Sequence, residues 1–314
     1  LCFMFEAKFQ SFADVSSSHD SAARVAALRA ELASSQPALS AWFARMVPGM
    51  YGKAYRWTGE MEEIAAFLAE VDVVTVASPA SRHVEGALAA LKAGKPIYVE
   101  KPLAVSLTDA DAIIAEAARQ KLVVACGHQE RVVFQTIGLF DIPEQPLMLE
   151  AVRQNAPSDR SLDVSVILDV MIHDLDLALA LSSGSPLTVE AEGKQDYSGT
   201  WDSVHAEVSF DTGFVAHIHS SRMATERKRT MKLIYPSGEV EIDFVSRAFR
   251  NTTPFPLNAG FADMPEVADT LATSVNAFLD AVRGTRPRPI VNAEEAARAL
   301  DLALAVERAL DEAG

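Results

Sequence analysis

The chain has 314 residues and only two cysteines, Cys2 and Cys126, too few for a disulfide framework. A reducing cytoplasm is therefore the expected compartment. No apolar run is long enough to cross a bilayer. Residues 1–12 are apolar but interrupted by Glu6 and Lys8, without a basic region followed by a small-residue cleavage site. Basic residues are in deficit, 28 Lys and Arg against 43 Asp and Glu, for a net charge of −15. Such a chain has no electrostatic reason to coat nucleic acid and no polybasic stripe for an anionic membrane, so neither is expected as a partner. A glycine-rich phosphate loop is also missing: thirteen residues precede Asp14, and none is glycine.

Hydrophobic residues make up 49% of the chain, enough for a sizeable core in one large or two ordinary domains. The first 128 residues alternate strands with helices. A strand is expected over 8–15, a helix over 22–33, a short helix and loop over 34–57, and a helix over 60–70. Then VDVVTVASP (71–79) is a β-branched run suited to a strand buried on both faces. A helix over 83–93 ends at Gly94, KPIYVE (95–100) is the next strand, a helix spans 107–120, and LVVACG (122–127) follows as a strand. This βα alternation implies a parallel, doubly wound sheet. After residue 128 a helix over 162–181 is followed by strands without intervening helices, then by helices near 269–282 and 293–312. The fold class expected is α/β: an incomplete Rossmann-like parallel-sheet domain over 1–128, lacking its first strand and glycine loop, and an α+β domain with a mostly antiparallel sheet over 129–314.

One hairpin can be read closely. Asp211-Thr212-Gly213 suits a three-residue loop with glycine left-handed. That register pairs Glu207 with His217 and His205 with His219 on a polar face. Val204, Ala206, Val208 and Phe210 then share the other face with Phe214, Ala216 and Ile218. The polar face, with its HxH pair, is expected to be solvated or to mediate self-association rather than to bind metal.

Several residues can carry chemistry. Lys101, in Glu100-Lys101-Pro102, ends a buried parallel strand and points toward the crevice where open α/β sheets bind ligands; alternatively it is a solvated strand-end lysine. Pro102 restricts Lys101 to extended geometry. Asp169, His173 and Asp176 stand at i, i+4 and i+7, which share a helix face. Two carboxylates flanking a histidine tune its pKa toward neutrality, as a general base requires. The other readings are a surface pair with Asp174 and Asp176 in water, or a metal site, for which no third ligand type is evident. Ser78, Pro79 and His83 follow one strand end and open a helix, a place suited to a phosphate or ribose. Gly127-His128-Gln129-Glu130-Arg131 follows the next strand, where His128 is either a buried strut or part of the site.

SPASRHVEGALAALKAGKPIYVEKPLA resembles the strand–helix–EKP segment of the Gfo/Idh/MocA oxidoreductases. LDVMIHDLD resembles the second motif of that family, D-x-G-x-H-x-x-D, with Met171 in place of glycine. The resemblance runs from about residue 8 to the C-terminus, and its two motifs lie about seventy residues apart. It implies NAD(H) or NADP(H) between two domains, with Lys101 and His173 as catalytic residues and Asp169 holding the substrate or the histidine. It also implies cofactor contacts at Asp14, Ser78, Pro79, His83, Glu100, Lys101 and Gln129, and substrate contacts at Arg131, Asp176 and Arg222. GHQER, VILDVMIHDLDLALAL and SSRMATERKRTMKL look closest to members acting on nucleotide sugars, of the UDP-N-acetylglucosamine 3-dehydrogenase type. There Arg222, Arg227 and Arg229 suit a phosphate-bearing substrate.

The departure is the absent fingerprint. Asp14 sits where an acid holds a ribose 2′-hydroxyl, which favours NAD. The strand and loop that should precede it have no room, and Gly49 and Gly52 follow no expected strand. Since residue 1 is Leu, the expectation is a fragment of a longer reading frame, binding cofactor poorly, rather than a natural loss. The expected function is hydride transfer to or from a sugar or nucleotide-sugar carbon by a homo-oligomer. The alternatives are a non-catalytic binding or assembly module, and a metal-dependent hydrolase or lyase using Asp169, His173 and Asp176.

Overall fold

A computed structural model describes residues 71–157 and 164–313. The elements expected before residue 71, Asp14, Gly49 and Gly52 among them, lie outside the described residues, as do the first two residues of the helix expected over 162–181.

The first layer is a parallel sheet of β1 (Val74–Val76), β2 (Ile97–Val99) and β3 (Val124–Cys126), in that order. All three residues of β2 and of β3 are buried, as the β-branched runs require. Helices α1 (His83–Lys92) and α2 (Leu107–Gln120) connect them. Gly94 follows α1 at φ 74°, where a side chain would be strained. Ser106 caps α2: its hydroxyl accepts from the Asp109 amide at 3.1 Å and donates to the Asp109 carboxylate at 2.8 Å.

Helix α3 (Glu130–Ile137), stopped by Gly138 at φ 92°, leads to β4 (Met148–Gln154). Neither was expected from the sequence. A wide π-helical turn, Ile167–Met171, then runs into α4 (Ile172–Leu181). Strands β5 (Pro186–Lys194), β6 (Ser203–Phe210), β7 (Val215–Ser221), β8 (Lys228–Tyr235), β9 (Gly238–Asp243) and β10 (Ala248–Asn251) follow. With β4 they make a seven-stranded sheet in the order β10-β9-β8-β4-β7-β6-β5. It is antiparallel except where β4 lies parallel to β7.

The β6–β7 hairpin has the register its sequence predicts, with Glu207 opposite His217 and His205 opposite His219. Gly213 takes φ 82° in the turn. Val204, Ala206, Val208, Phe210, Phe214, Ala216 and Ile218 are all buried. A slip of one residue would carry the histidines and Glu207 into the core, so the alternation itself sets the pairing. On the outer face the His205 and His219 rings stack with centroids 3.6 Å apart.

After β10 come the short α5 (Pro265–Ala268), then α6 (Thr270–Val282) and α7 (Ala293–Ala313). Asp269 caps α6 through the Ala272 amide at 2.9 Å. Helices α6 and α7 do not stay with the second sheet. Tyr98 of β2 meets Phe278 of α6 edge to face and donates to Ser274 at 3.1 Å. The Cys126 amide donates to Val291 just before α7. Helix α7 packs on α2 and β3 as well as on α4 and β5, so the end of the chain ties the two layers together.

Removing the Phe278 ring should therefore loosen both layers. Phe278→Ala is expected to cost about 3–5 kcal/mol, and Tyr98→Phe, which loses one hydrogen bond, about 1 kcal/mol. Urea unfolding midpoints check both; equal effects would mean that the contact is held by the hydroxyl and not by the ring.

Candidate active site

Glu100 and Lys101 stand at the carboxyl end of β2, flanked by Ser78 and Pro79 after β1 and by Gly127–Gln129 after β3. Three parallel strands therefore deliver polar groups to one edge. Glu100 is largely buried, and burial holds its carboxyl above the usual range against the pull of Lys101 and Gln129. The Gln129 amide donates to it at 3.3 Å. A Cβ on Gly127 would lie 2.8 Å from Glu100 Oε2, so glycine is what allows the glutamate to lie there. This edge gathers a carboxylate, an ammonium and a side-chain amide at the ends of adjacent strands.

His83 is placed differently from the expectation. It is 1% exposed, and its two ring nitrogens lie 2.6 Å from the Pro102 carbonyl and 2.9 Å from the Ser78 carbonyl. It braces the segments after β1 and β2 beneath the edge instead of facing a ligand. Burial lowers its pKa, though both carbonyls favour the protonated ring.

The Lys101 ammonium donates to Asp169, to Oδ1 at 2.9 Å and also to the backbone carbonyl. This contact joins the first layer to the turn that leads into α4 and His173. Because that turn is π-helical, the sequence spacing no longer decides who shares a face. Asp169 turns to Lys101, while Asp176 is buried against Arg131 at 2.7 and 2.8 Å. Neither carboxylate bonds His173, so the expected carboxylate-flanked histidine is corrected. His173 is instead held well below the ordinary histidine value by burial, with the cations Lys101, Arg153 and Arg229 and the neighbouring His128 acting in the same direction. Its Nδ1 is buried with no partner. Met171, which stands in place of the motif's glycine, is fully buried.

Two charged forks anchor α4 just after His173. On one side Arg153 of β4 grips Asp174 at 2.8 and 3.0 Å and Glu130 at 2.8 Å. On the other, Arg131 grips Asp176 and reaches Glu295 of α7 at 2.9 Å. Asp174 and Asp176 are each 1% exposed, not solvated. Arg131 and Asp176, expected on a substrate, hold each other instead. Arg222 is also buried, and it donates to the Val164 carbonyl at 2.8 Å. His128 is 1% exposed, 3.8 Å from Asp176 and edge-on to His173 with ring centroids 6.2 Å apart, so it is the strut behind the histidine.

Sequence reasoning missed Arg153 because it missed β4, and so left Glu130 and Asp174 without their partner. The alternation of Leu149, Ala151 and Arg153 on the inward side was the available signal. Arg229, paired in register with Arg153, is only partly buried; burial and the Arg153 charge lower its pKa, and its Nε has no partner. Arg227 is exposed. Among the described residues no group of three histidines, cysteines or carboxylates could hold a metal, and no helix is long and apolar enough to cross a membrane.

Residues 8–128 match a family described as oxidoreductase, NAD-binding Rossmann fold, and residues 144–241 match the GFO/IDH/MocA C-terminal domain. The chain is 34% identical to the UDP-N-acetylglucosamine 3-dehydrogenase of Acidithiobacillus ferrooxidans over 233 residues, covering 71% of this chain and 74% of that protein. It is 26% identical to the myo-inositol 2-dehydrogenase of Thermotoga maritima, covering 83% and 82%. The solved structure of the Acidithiobacillus enzyme superposes with a TM-score of 0.70 at 32% identity, covering 79% of this chain and 81% of that one. The Bordetella pertussis WlbA dehydrogenase, solved with NADH and UDP-GlcNAcA, shares the fold at 15% identity and a TM-score of 0.69, covering 80% and 81%.

Two outcomes follow from the buried charges. Asp176→Asn should cost about 3–5 kcal/mol, because it leaves Arg131 buried with less than its counter-charge; denaturant unfolding measures it. Burial holds His83, His128 and His173 below 6.5, and His219 is pushed down to about 4 by burial and His205. The unfolded chain takes up protons that these native rings refuse, so stability present at pH 7 should fall as pH drops below 6.5. Glu100, raised in the fold, offsets part of that loss above pH 4.5. Unfolding midpoints at pH 7.5 and about 5.5 test the sign.

Proposed function

Because this chain belongs to the Gfo/Idh/MocA family of NAD-binding oxidoreductases, we propose that it moves a hydride between a nicotinamide cofactor and a hydroxyl-bearing carbon of a nucleotide sugar. The observation that carries this reading is the joint between Lys101 and Asp169, which sets an ammonium group from one layer beside the turn that leads into the His173 helix in the other. Oxidising an alcohol needs a neutral base for the hydroxyl proton and a positive charge near the oxygen as it becomes negative. His173, depressed by burial and surrounding cations, is neutral near pH 7. Lys101 supplies the charge, and Asp169 orients it. The cofactor supplies the hydride acceptor or donor.

Ser78, Pro79, Glu100, Lys101 and Gln129 would hold the nicotinamide end, His83 bracing them from below. NAD is favoured over NADP because Asp14 suits a free ribose 2′-hydroxyl. The nucleotide-sugar class is supported by the 34% identity to the Acidithiobacillus enzyme and by Arg229, a partly buried cation with an unpartnered Nε near the same turn. The metal-dependent reading loses its support, since Asp176 is engaged by Arg131. Work in the cytoplasm fits the buried free thiol of Cys126. Self-association through the polar face of β6 and β7 completes the reading; light scattering that finds a monomer at every concentration would remove that part of it.

Lys101→Ala and His173→Ala should each lower turnover at least about 100-fold with the fold retained. Assays with NAD and a panel of UDP-sugars read the loss, and unchanged turnover in either variant counts against the assignment. Arg229→Ala should raise KM for a UDP-sugar and leave KM for the free sugar alone. Titration with NADH, followed by protein fluorescence, separates this reading from a non-catalytic relative, for which no quenching is expected.

A further inference from the structure

A cavity of about 550 Å³ opens between the end of α3, the end of α4, the end of β8 and the segment entering α7. It contains none of Lys101, Asp169 or His173. At 1.5 Å per helical residue, Leu181 on its wall lies roughly 12 Å along α4 from His173. Four arginines line it, Arg131, Arg286, Arg288 and Arg298, against two carboxylates, Glu144 and Glu295.

The carboxylates are already engaged. Glu295 bonds Arg131 and Arg288 and accepts from the Asn292 amide; burial would raise its pKa, yet these partners hold it low. Glu144 accepts from the Ser237 amide at 3.1 Å. Two arginines remain with charge to spare. The Arg286 side chain meets only the Arg288 carbonyl, at 3.0 Å, and Arg298 has no hydrogen-bond or ion-pair partner among the described residues. A second, independent feature is Tyr235, which is 3% exposed and lines the cavity. Its hydroxyl is buried with no hydrogen-bond partner. Burial and Glu144 push its pKa up, so it stays a donor. An orphaned donor at this depth costs stability unless something accepts from it. The rest of the wall is mixed: Gln135 and Ser182 are polar, and Leu139, Phe140, Leu179 and Ile290 form an apolar patch beside them.

We propose that this cavity is a second binding site, for a small organic oxyanion: a phosphate or carboxylate head held by Arg286 and Arg298 with Tyr235 donating to it, and an apolar body against the leucine–phenylalanine wall. Arginine forks match the geometry of both heads, and an acceptor from the ligand is what the Tyr235 hydroxyl lacks. Arg131 forms part of the wall and also grips Asp176 behind His128, so an occupant touches the group of charges that seats His173.

Calorimetry on the full chain tests it with three probes: phenyl phosphate, benzoate and phenol. Binding of either anion, with phenol silent, supports the proposal, and the tighter of the two identifies the head group. The double variant Arg286→Ala/Arg298→Ala should weaken that binding at least about tenfold, and Tyr235→Phe by roughly the same factor. Both arginines lie toward the surface, so the fold should survive, which circular dichroism checks. Lys101→Ala should leave anion binding unchanged. No binding of either anion, equal binding of phenol, or binding lost in Lys101→Ala but kept in the arginine variant overturns the proposal.

Discussion

Two arginine–aspartate forks fix the helix that carries His173 to its neighbours, and most of the molecule is arranged around them. Arg153 and Asp174 face each other on one side, Arg131 and Asp176 on the other, each through two parallel hydrogen bonds. Buried ion pairs of this kind contribute little net stability over an apolar core, because desolvation consumes most of the attraction. Their consequence here is positional. Glu130 and Arg131 are adjacent at the start of α3, Asp174 and Asp176 lie two residues apart on α4 and so point to opposite sides of it, Arg153 comes from β4 and Glu295 from α7. Four elements distant in sequence must assemble correctly before every buried charge finds its partner.

That requirement explains the character of the histidine. Arg131 takes Asp176 and Lys101 takes Asp169, the two acids of LDVMIHDLD that stood ready to bond it. What surrounds His173 is burial and positive charge, so its proton is held weakly. Lys101 is steadied by Asp169 near that ring, the arrangement that alcohol oxidation calls for. An imidazole bonded to a carboxylate would have been a stronger base, and also one already protonated at lower cost near neutral pH.

The second dependence is on the chain's return. The three described parallel strands are short, and β2 and β3 are buried throughout. Part of what covers them comes from the far end of the sequence, where Phe278 meets Tyr98 and α7 lies across α2 and β3. A boundary at residue 128 marks where the βα alternation stops, but the packing crosses it. The edge that presents Glu100 and Lys101 is backed by residues placed after both sheets are complete.

Local periodicity was enough to read α1, α2, β1–β3, the β6–β7 register and the terminal helices, because an alternation of 2 or 3.6 residues leaves one face apolar and only one way to bury it. The strand-end position of Lys101 was legible for the same reason, and the linkage of the two motifs came from the family resemblance. Four things depended on tertiary contacts. The π-helical turn rotates Asp169 away from Asp176, and nothing in nine residues of sequence records that. Strand β4 hides because Arg153 occupies an inward position that patterning reserves for apolar residues, an exchange allowed only by Asp174 and Glu130 opposite it. His83 looks like a ligand-facing residue until two carbonyls from different loops close on it. The partners of a charge are set by distance in space, and sequence spacing measures that distance only along a single regular element.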